Sequence, residues 1–388
     1  MSKRVLLSVG LLCVLLLAAF AAGAQTRVRV GEERPYVTSV GAYPAGAADR
    51  PAVWSETIHS PDAKFLRVHF KKLNLPDGDY LTVASPDGSD FWTYTAKGLN
   101  GTGRFWSFMV ESDTAIVELH AGPAAKARGN RYGVEIDRIA HGFLSPDVEP
   151  GAPTKVVCGS DGREAAACHT EVNMRPVARI SFQSGGSSFV CTGWLVAGSN
   201  SNTMLTNNHC VDTQTEVSTV QARFNYQTTT CSGSTQATYS SYAGGTFLRT
   251  HVGLDYTILT LQGNPEATWG EYTATSKQPT VGLTINFPQH PGGGLKRIGY
   301  WENSAHTTRC TASTVNATYG GSTSGSQMGY GCDSAGGSSG SPIMDAGTGR
   351  IIGLHHFGGV TSNPCRNSAT QLRQICSNAG SLLSCATN

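Results

Sequence analysis

The sequence predicts an all-β protein with two domains. Short segments in which apolar and polar residues alternate recur along its 388 residues, and this alternation is typical of strands with one buried face. The 46 glycines, together with Pro-Asp-Gly triplets at 76–78 and 86–88, supply turns between these segments. The one helix predicted covers residues 371–379. A chain of this length can bury two hydrophobic cores.

The chain begins with a predicted signal peptide, residues 1–24. Lys3 and Arg4 precede an apolar run from Val5 to Ala22, and small residues follow up to Ala24. This pattern predicts export with cleavage after Ala24 and no stable membrane anchor. The formal net charge of +2 and the 14% content of charged residues provide no field that favours nucleic acid as a partner.

Residues 25–143 are predicted to form a small β-sandwich, weakly similar to jelly-roll modules, that acts as an accessory domain or pro-domain. The segment is polar and irregular up to about residue 50. Strands are then predicted at 65–73, 79–85, 91–96, 105–110, 115–120 and 131–139. In the first of these, Leu66, Val68 and Phe70 share one face, so one face is expected to be buried. A proline-rich linker follows at 144–157.

The C-terminal domain, residues 158–388, combines further strands with three polar motifs. The predicted strands are 179–182, 190–197, 203–206, 221–226, 257–261, 280–287 and 350–355. The motifs are Leu-Thr-Asn-Asn-His-Cys at 205–210, Leu-Asp-Tyr-Thr-Ile-Leu at 254–259 and Gly-Ser-Ser-Gly-Ser-Pro at 337–342. They supply an imidazole, a carboxylate and a serine hydroxyl, which together can activate the hydroxyl as a nucleophile.

With these motifs, the chain from about Cys158 onward resembles secreted trypsin-like peptidases of the chymotrypsin fold, especially bacterial lysyl and glutamyl endopeptidases. The resemblance implies a double β-barrel. No metal-ligand spacing such as His-x-x-x-His appears in the sequence, so neither a metal nor a cofactor is expected. The resemblance also implies that His209 is the general base, Asp255 the orienting carboxylate and Ser339 the nucleophile. The backbone N–H groups of Gly337 and Ser339 would then form the oxyanion hole.

The residues of the substrate pocket leave the cleavage preference open. Asp333 lies six positions before Ser339, where trypsin-like enzymes bind a basic side chain. His355 or His356 resembles the histidine with which glutamyl endopeptidases bind an acidic side chain, and neighbouring residues of a strand point to opposite faces. Gly358 belongs to the segment expected to pair with the substrate backbone. No acidic residue follows Asp345, which disfavours a strict lysyl endopeptidase.

Ten of the 11 cysteines remain after Cys13 leaves with the signal peptide, and an even number predicts an oxidised, extracellular or periplasmic protein. The resemblance implies a bridge between Cys191 and Cys210. Bridges from Cys158 to Cys231 and from Cys310 to Cys332 are also predicted. The four remaining cysteines are left unassigned.

We therefore expect a monomeric, secreted serine endopeptidase that acts on proteins or peptides. Two alternatives remain. The first is a secreted binding protein or adhesin that uses a protease-like scaffold without catalysis, because a fold alone does not fix function. The second is an esterase that uses the same acyl chemistry.

Overall fold

The computed structural model describes residues 27–46, 49, 51–123, 131–144, 157–362 and 364–387. The predicted signal peptide and nearly all of the predicted linker lie outside these residues. The described part contains 24 strands and three short α-helices, so the protein is mostly β, as the predicted all-β class requires in outline. No helix within it is long and apolar enough to span a membrane.

Two sheets enclose the N-terminal core. Their strands are β1 Val28–Val40, β2 Ala52–His59, β3 Phe65–Asn74, β4 Tyr80–Ala84, β5 Phe91–Thr95, β6 Phe105–Trp106, β7 Thr114–His120 and β8 Gly133–Gly142. Strands β2, β7, β4 and β5 form one sheet, and β1, β8, β3 and β6 belong to a ten-stranded sheet. Ile58, Val68, Leu81 and Val117 of the two sheets share one apolar cluster. We call this two-layer unit the N-terminal sandwich.

A six-stranded barrel follows. It is built from β10 Val177–Ser184, β11 Ser187–Leu195, β12 Thr203–Thr206, β13 Gln221–Phe224, β14 Ser240–His251 and β15 Tyr256–Leu261, after the short β9 Arg163–Ala165. The order is β10-β13-β14-β15-β12-β11, and pairing of β10 with β11 closes the ring. Its interior holds Ile180, Met204, Phe224 and Leu259. The long strand β14 was not predicted from the sequence.

The rest of the chain forms a second rolled sheet. Its strands are β16 Ala274–Thr275, β17 Ile285–Gln289, β18 Arg297–Gly299, β19 Ala312–Ala317, β20 Gln327–Tyr330, β21 Pro342–Asp345, β22 Ile351–Ser362, β23 Cys365–Gln371 and β24 Cys385–Ala386. The path β19-β20-β23-β22-β21-β17 curves round until Ile285 N donates to Cys310 O over 2.9 Å. Helices α1 Gln214–Val217 and α2 Pro265–Trp269 precede this sheet, and α3 Leu372–Ala379 confirms the predicted helix.

Strand β1 joins the N-terminal sandwich to the barrel. It pairs with β8 from Gly31 to Val40 and with β11 from Val28 to Glu32, so one sheet runs through both units. The prediction that residues 25 to about 50 are irregular is wrong for this strand. Arg29, the charged run at 32–34 and Pro35 interrupt its apolar pattern, and pairing on both edges holds it as a strand.

The third strand also departs from its prediction. All residues from Phe65 to Phe70 are buried, so the expected exposed face is absent. The reason is that Arg67 on this face reaches the barrel and donates to the carbonyl of Thr219 over 2.9 Å. Within the sandwich, Arg67 also donates to the carbonyl of Ser107 over 2.8 Å.

Five disulfides cross-link the C-terminal part. Cys191–Cys210 and Cys310–Cys332 are paired as predicted. The predicted Cys158–Cys231 pair is wrong, because Cys158 lies beside Cys365 and Cys231 is bonded to Cys168. The fifth bridge is Cys376–Cys385. The separation in sequence gave no means to choose among these partners.

We expect the Cys158–Cys365 bridge to stabilise the fold more than the Cys376–Cys385 bridge. The first spans 207 residues and the second nine, and a bridge that closes a longer loop restricts the unfolded chain more. Replacing Cys158 and Cys365 by serine should lower the free energy of unfolding by about 2–5 kcal/mol, measured by chemical denaturation. The matched Cys376→Ser, Cys385→Ser protein should lose less, and equal losses would contradict the prediction.

Candidate active site

The barrel brings His209 and Asp255 together. Strands β12 and β15 are antiparallel with Thr206 opposite Thr257, so the residues that follow β12 and precede β15 emerge at the same end of the barrel. His209 Nδ1 lies 2.7 Å from Asp255 Oδ2, and the backbone N–H of His209 donates to Asp255 Oδ1 over 2.9 Å. Both carboxylate oxygens of Asp255 therefore contact His209, and these two contacts fix the orientation of its imidazole.

Asn207 supports the loop that carries Asp255. Asp255 has a positive φ of 46°, an uncommon conformation for a residue with a Cβ. The buried Asn207 Nδ2 donates to the carbonyl oxygen of Asp255 over 2.7 Å. The first asparagine of the Thr-Asn-Asn-His segment thus has a structural role, which the sequence analysis did not assign.

The Asp255 carboxyl is ionised in the folded protein. Burial would raise its pKa, but the charges and hydrogen bonds of His209 and His356 outweigh burial, so the pKa lies well below its usual range. A carboxyl pKa lowered by folding stabilises the fold at neutral pH. This contribution is lost only as the pH falls through the lowered pKa.

The turn that carries Ser339 is held between the six-stranded barrel and the second rolled sheet. Thr192 N donates to Ser339 O over 2.8 Å, and Gly340 N donates to His355 O over 2.9 Å. Cys210 Sγ lies 3.7 Å from His209 Nε2 and 4.0 Å from Ser339 O. The Cys210 sulfur thus lies near both the Nε2 atom of His209 and the backbone of Ser339.

Two glycines shape this turn. Gly337 has a φ of 91° and Gly340 a φ of 88°, which favour glycine. A Cβ on Gly340 would lie 2.1 Å from the carbonyl oxygen of Thr192. The carbonyl of Gly337 accepts a hydrogen bond from Thr192 Oγ1 over 2.9 Å. Among the described residues, the N–H of Gly337 has no hydrogen-bond acceptor, which is compatible with an oxyanion donor.

Asp333 lies in a structural hydrogen-bond network. It is fully buried, and its two carboxylate oxygens accept the N–H groups of Cys158, over 2.6 Å, and Gly162, over 2.7 Å. Burial raises its pKa to about 6, although these two donors favour the ionised form. Both oxygens of the residue predicted to bind a basic substrate side chain are therefore engaged with backbone amides of this chain.

The two adjacent histidines face different partners. His356 Nδ1 lies 3.2 Å from Asp255 Oδ2, and its Nε2 is hydrogen bonded to Gln327 Oε1. His355 Nδ1 lies 2.7 Å from the hydroxyl of Tyr330. Burial and the neighbouring histidines lower the pKa of His355 to about 3, so this ring is neutral at physiological pH. The predicted substrate-binding role is thus compatible with His355, whereas His356 supports the carboxylate.

Gly358 lies on a partly exposed edge of β22. Strand β21 pairs with β22 only as far as Leu354, and no strand in the described part of the chain pairs with that edge at 357–359. An extended peptide can therefore add to it through backbone hydrogen bonds.

Comparison with known families decides the affiliation. The family model described as "Lysyl endopeptidase, C-terminal domain" matches residues 155–373, more than half of the chain. The chain belongs to this family. The predicted resemblance to lysyl endopeptidases is confirmed, and the family is one of serine endopeptidases.

Two relatives extend the lysyl endopeptidase comparison beyond the matched segment. Secreted RxLR effector protein 73 of Plasmopara viticola is 30% identical over 330 residues, which cover 79% of this chain and 77% of the relative. Lysyl endopeptidase of Pseudomonas aeruginosa is 26% identical over 288 residues, covering 68% of this chain and 61% of the relative. A solved Glu endopeptidase in complex with MPD is 24% identical, with a TM-score of 0.41, and covers 58% of this chain and 99% of that structure.

Substitution of Gly340 should disrupt the serine turn. Gly349 also has a positive φ, of 71°, but nothing lies within 4 Å of a Cβ placed there. We expect Gly349→Ala to cost about 1–2 kcal/mol of unfolding free energy from backbone strain alone. Gly340→Ala should cost more, because the Thr192 carbonyl must also move. Denaturant unfolding of both variants measures the difference, and equal losses would show that the turn is not sterically clamped.

Proposed function

We propose that this protein is a secreted serine endopeptidase that hydrolyses peptide bonds through an acyl-enzyme on Ser339. The observation that carries the proposal is the double hold of Asp255 on His209, through Nδ1 and the backbone N–H. This hold places a hydrogen on Nδ1, so Nε2 is the ring nitrogen that can accept the Ser339 proton. A chymotrypsin-type double barrel preceded by an accessory sandwich is the architecture that we infer.

The chemistry follows from these positions. The Ser339 hydroxyl oxygen attacks the carbonyl carbon of the scissile bond while His209 Nε2 takes the hydroxyl proton. The N–H groups of Gly337 and Ser339 stabilise the oxyanion that forms. His209 then gives the proton to the leaving amine, and water, activated by the same nitrogen, hydrolyses the acyl-enzyme. Asp255 stays ionised throughout and stabilises the imidazolium.

We infer that the enzyme prefers an acidic or neutral polar side chain before the bond. The Asp333 oxygens are committed to the amides of Cys158 and Gly162, which disfavours a basic side chain there. His355 is neutral, so its ring can donate one hydrogen bond to a carboxylate or amide oxygen.

The location of the protein is the last part of the proposal. We infer a secreted protein because its five disulfides require an oxidising compartment and a relative is named as a secreted effector. Because that relative is called an effector, a second candidate function is a secreted effector that acts by binding rather than by catalysis.

Peptide cleavage should depend on the Ser339 hydroxyl. We expect the secreted protein to produce new termini in a mixed peptide library and Ser339→Ala to abolish them, with Ser199→Ala, at an exposed serine, as the matched control. Mass spectrometry identifies the residue before each cut, where acidic or amide side chains should dominate. Identical products from the parent and Ser339→Ala would favour the binding protein, and cuts after lysine would contradict the inferred preference.

His356 should support catalysis through Asp255 without contacting substrate. We expect His356→Phe, which keeps a ring but removes the donor near Asp255 Oδ2, to lower kcat by about tenfold, the usual worth of one hydrogen bond to a charged group. KM should change little. His356→Asn places an amide donor near the position of Nδ1 and should recover part of kcat. A change in KM alone, or no difference between the two variants, would contradict this role.

A further inference from the structure

The N-terminal end of β1 reaches the candidate active site. Arg27 Nε donates to the carbonyl oxygen of His209 over 2.6 Å. Its Nη1 donates to Ser184 Oγ over 2.7 Å and to Glu216 Oε1 over 2.6 Å. The guanidinium carbon lies 5.6 Å and 5.7 Å from the ring centres of Phe182 and Phe189. An arginine side chain thus occupies a recess made of a carboxylate, a hydroxyl, a carbonyl and two aromatic rings.

The backbone beside this recess lies along the serine turn. Val28 and Arg29 pair antiparallel with Val190 and Phe189 of β11, directly before the Cys191–Cys210 bridge. A Cβ on Gly336 would lie 2.5 Å from Val28 Cγ2, so the Val28 side chain covers the residue that precedes Gly337. The start of β1 therefore follows the cleft on the side of His209 and the oxyanion glycine.

Strand β1 runs in the same chain direction as the part of a substrate that follows the scissile bond. In acyl transfer, the part of a substrate that follows the scissile bond begins at the catalytic serine and runs away from it. Strand β1 likewise begins beside His209 at Arg27 and runs away, to the pairing of Val40 with Val134 of β8. The exposed edge at 357–359, where the acyl half can pair, belongs to the second rolled sheet, so an extended substrate would cross from that sheet to the barrel.

We propose that Glu216, Ser184, Phe182 and Phe189 form a subsite for an arginine side chain on the leaving-group side of the cleft, and that Arg27 of this chain occupies it. The proposal rests on the serine endopeptidase function inferred above. It follows that residues 27–29 compete with any substrate that extends past the scissile bond. Substrates that end there do not meet this competition.

The chemistry of the recess selects a guanidinium. Glu216 is largely buried and its Oε2 accepts the N–H of Asp212 over 2.9 Å, so the carboxylate is held in place before a ligand arrives. A guanidinium offers several donors in one plane and stacks on aromatic rings, and this combination suits the carbonyl, hydroxyl and carboxylate here better than a lysine ammonium does.

The occupied state can open without loss of the fold. Val28 and Arg29 pair with β11 only, whereas β1 also pairs with β8 from Gly31 onward. Release of Arg27 and Val28 therefore leaves the pairing of β1 with β8 intact. Because the segment is tethered beside its subsite, its effective concentration is on the order of millimolar, enough to compete with peptides of similar affinity.

Kinetics of the chain from residue 25 onward test the proposal. We expect Arg27→Ala to raise kcat/KM about tenfold or more for peptides that extend four residues past the bond, since one hydrogen bond to a charged group is worth about that factor. Turnover of the same acyl segment with a p-nitroanilide leaving group should stay unchanged. Arg27→Lys should give a smaller rise. Arg34→Ala, on the same strand and bonded only to Glu32 among the described residues, is the control and should change neither rate.

The subsite itself is tested in the Arg27→Ala background. Peptides with arginine at the first or second position after the bond should be cleaved about tenfold better than alanine versions, and Glu216→Gln should remove the difference. A synthetic peptide of residues 27–34 should inhibit cleavage of extended peptides competitively.

Three outcomes separate the possible failures. Equal rates for Arg27→Ala and the parent on extended peptides, without an arginine preference, would overturn the subsite and leave the endopeptidase standing. The absence of cleavage, together with failure of Ser339 to react with a fluorophosphonate in every variant, would overturn the endopeptidase and the subsite with it. If Arg27→Ala does not fold, Arg27→Lys with and without Glu216→Gln provides the same comparison.

Discussion

Thr192 connects the six-stranded barrel to the second rolled sheet at the candidate active site. Its N–H donates to the carbonyl of Ser339 and its hydroxyl to the carbonyl of Gly337, while its own carbonyl accepts from Thr206 Oγ1. Thr206 ends the strand that leads to His209. One buried residue thus fixes the turn that carries Ser339 against the barrel strand that leads to His209. A shift of β11 would move both, so the relative position of His209 and Ser339 depends on this junction.

The N-terminal sandwich is docked through buried polar contacts as well as through β1. Arg223 of the barrel is ion paired with Glu111 of the sandwich, and Arg67 of the sandwich donates to the carbonyl of Thr219 in the barrel. Buried charges are costly unless they are paired and hydrogen bonded, so these contacts are specific to one docking geometry. That geometry places β1 beside β11 and thereby sets how far its first residues reach along the cleft.

The sequence predicted the parts whose signal is local. The mostly β class and helix α3 follow from patterning within short windows. The candidate site residues could be identified because each lies within a short sequence motif. The Cys158–Cys231 prediction failed because the choice of a disulfide partner depends on which loops the fold brings together. Strand β1 was missed because its charges obscure the alternation, and β3 lost its expected exposed face because a second unit covers it. Each failure involves a contact between segments that are distant in the chain.

The pair of histidines shows why tertiary contacts decide what two identical side chains do. A buried carboxylate needs several donors to remain ionised, and Asp255 has His209 on both oxygens and His356 on Oδ2. The Nε2 atom of His356 lies within hydrogen-bond distance of Gln327 Oε1, so the ring is held between the side chains of Asp255 and Gln327. Because consecutive residues of a strand point to opposite faces, His355 is left on the face of Tyr330. The contact of His356 with the Asp255 carboxylate therefore also determines that His355 faces Tyr330.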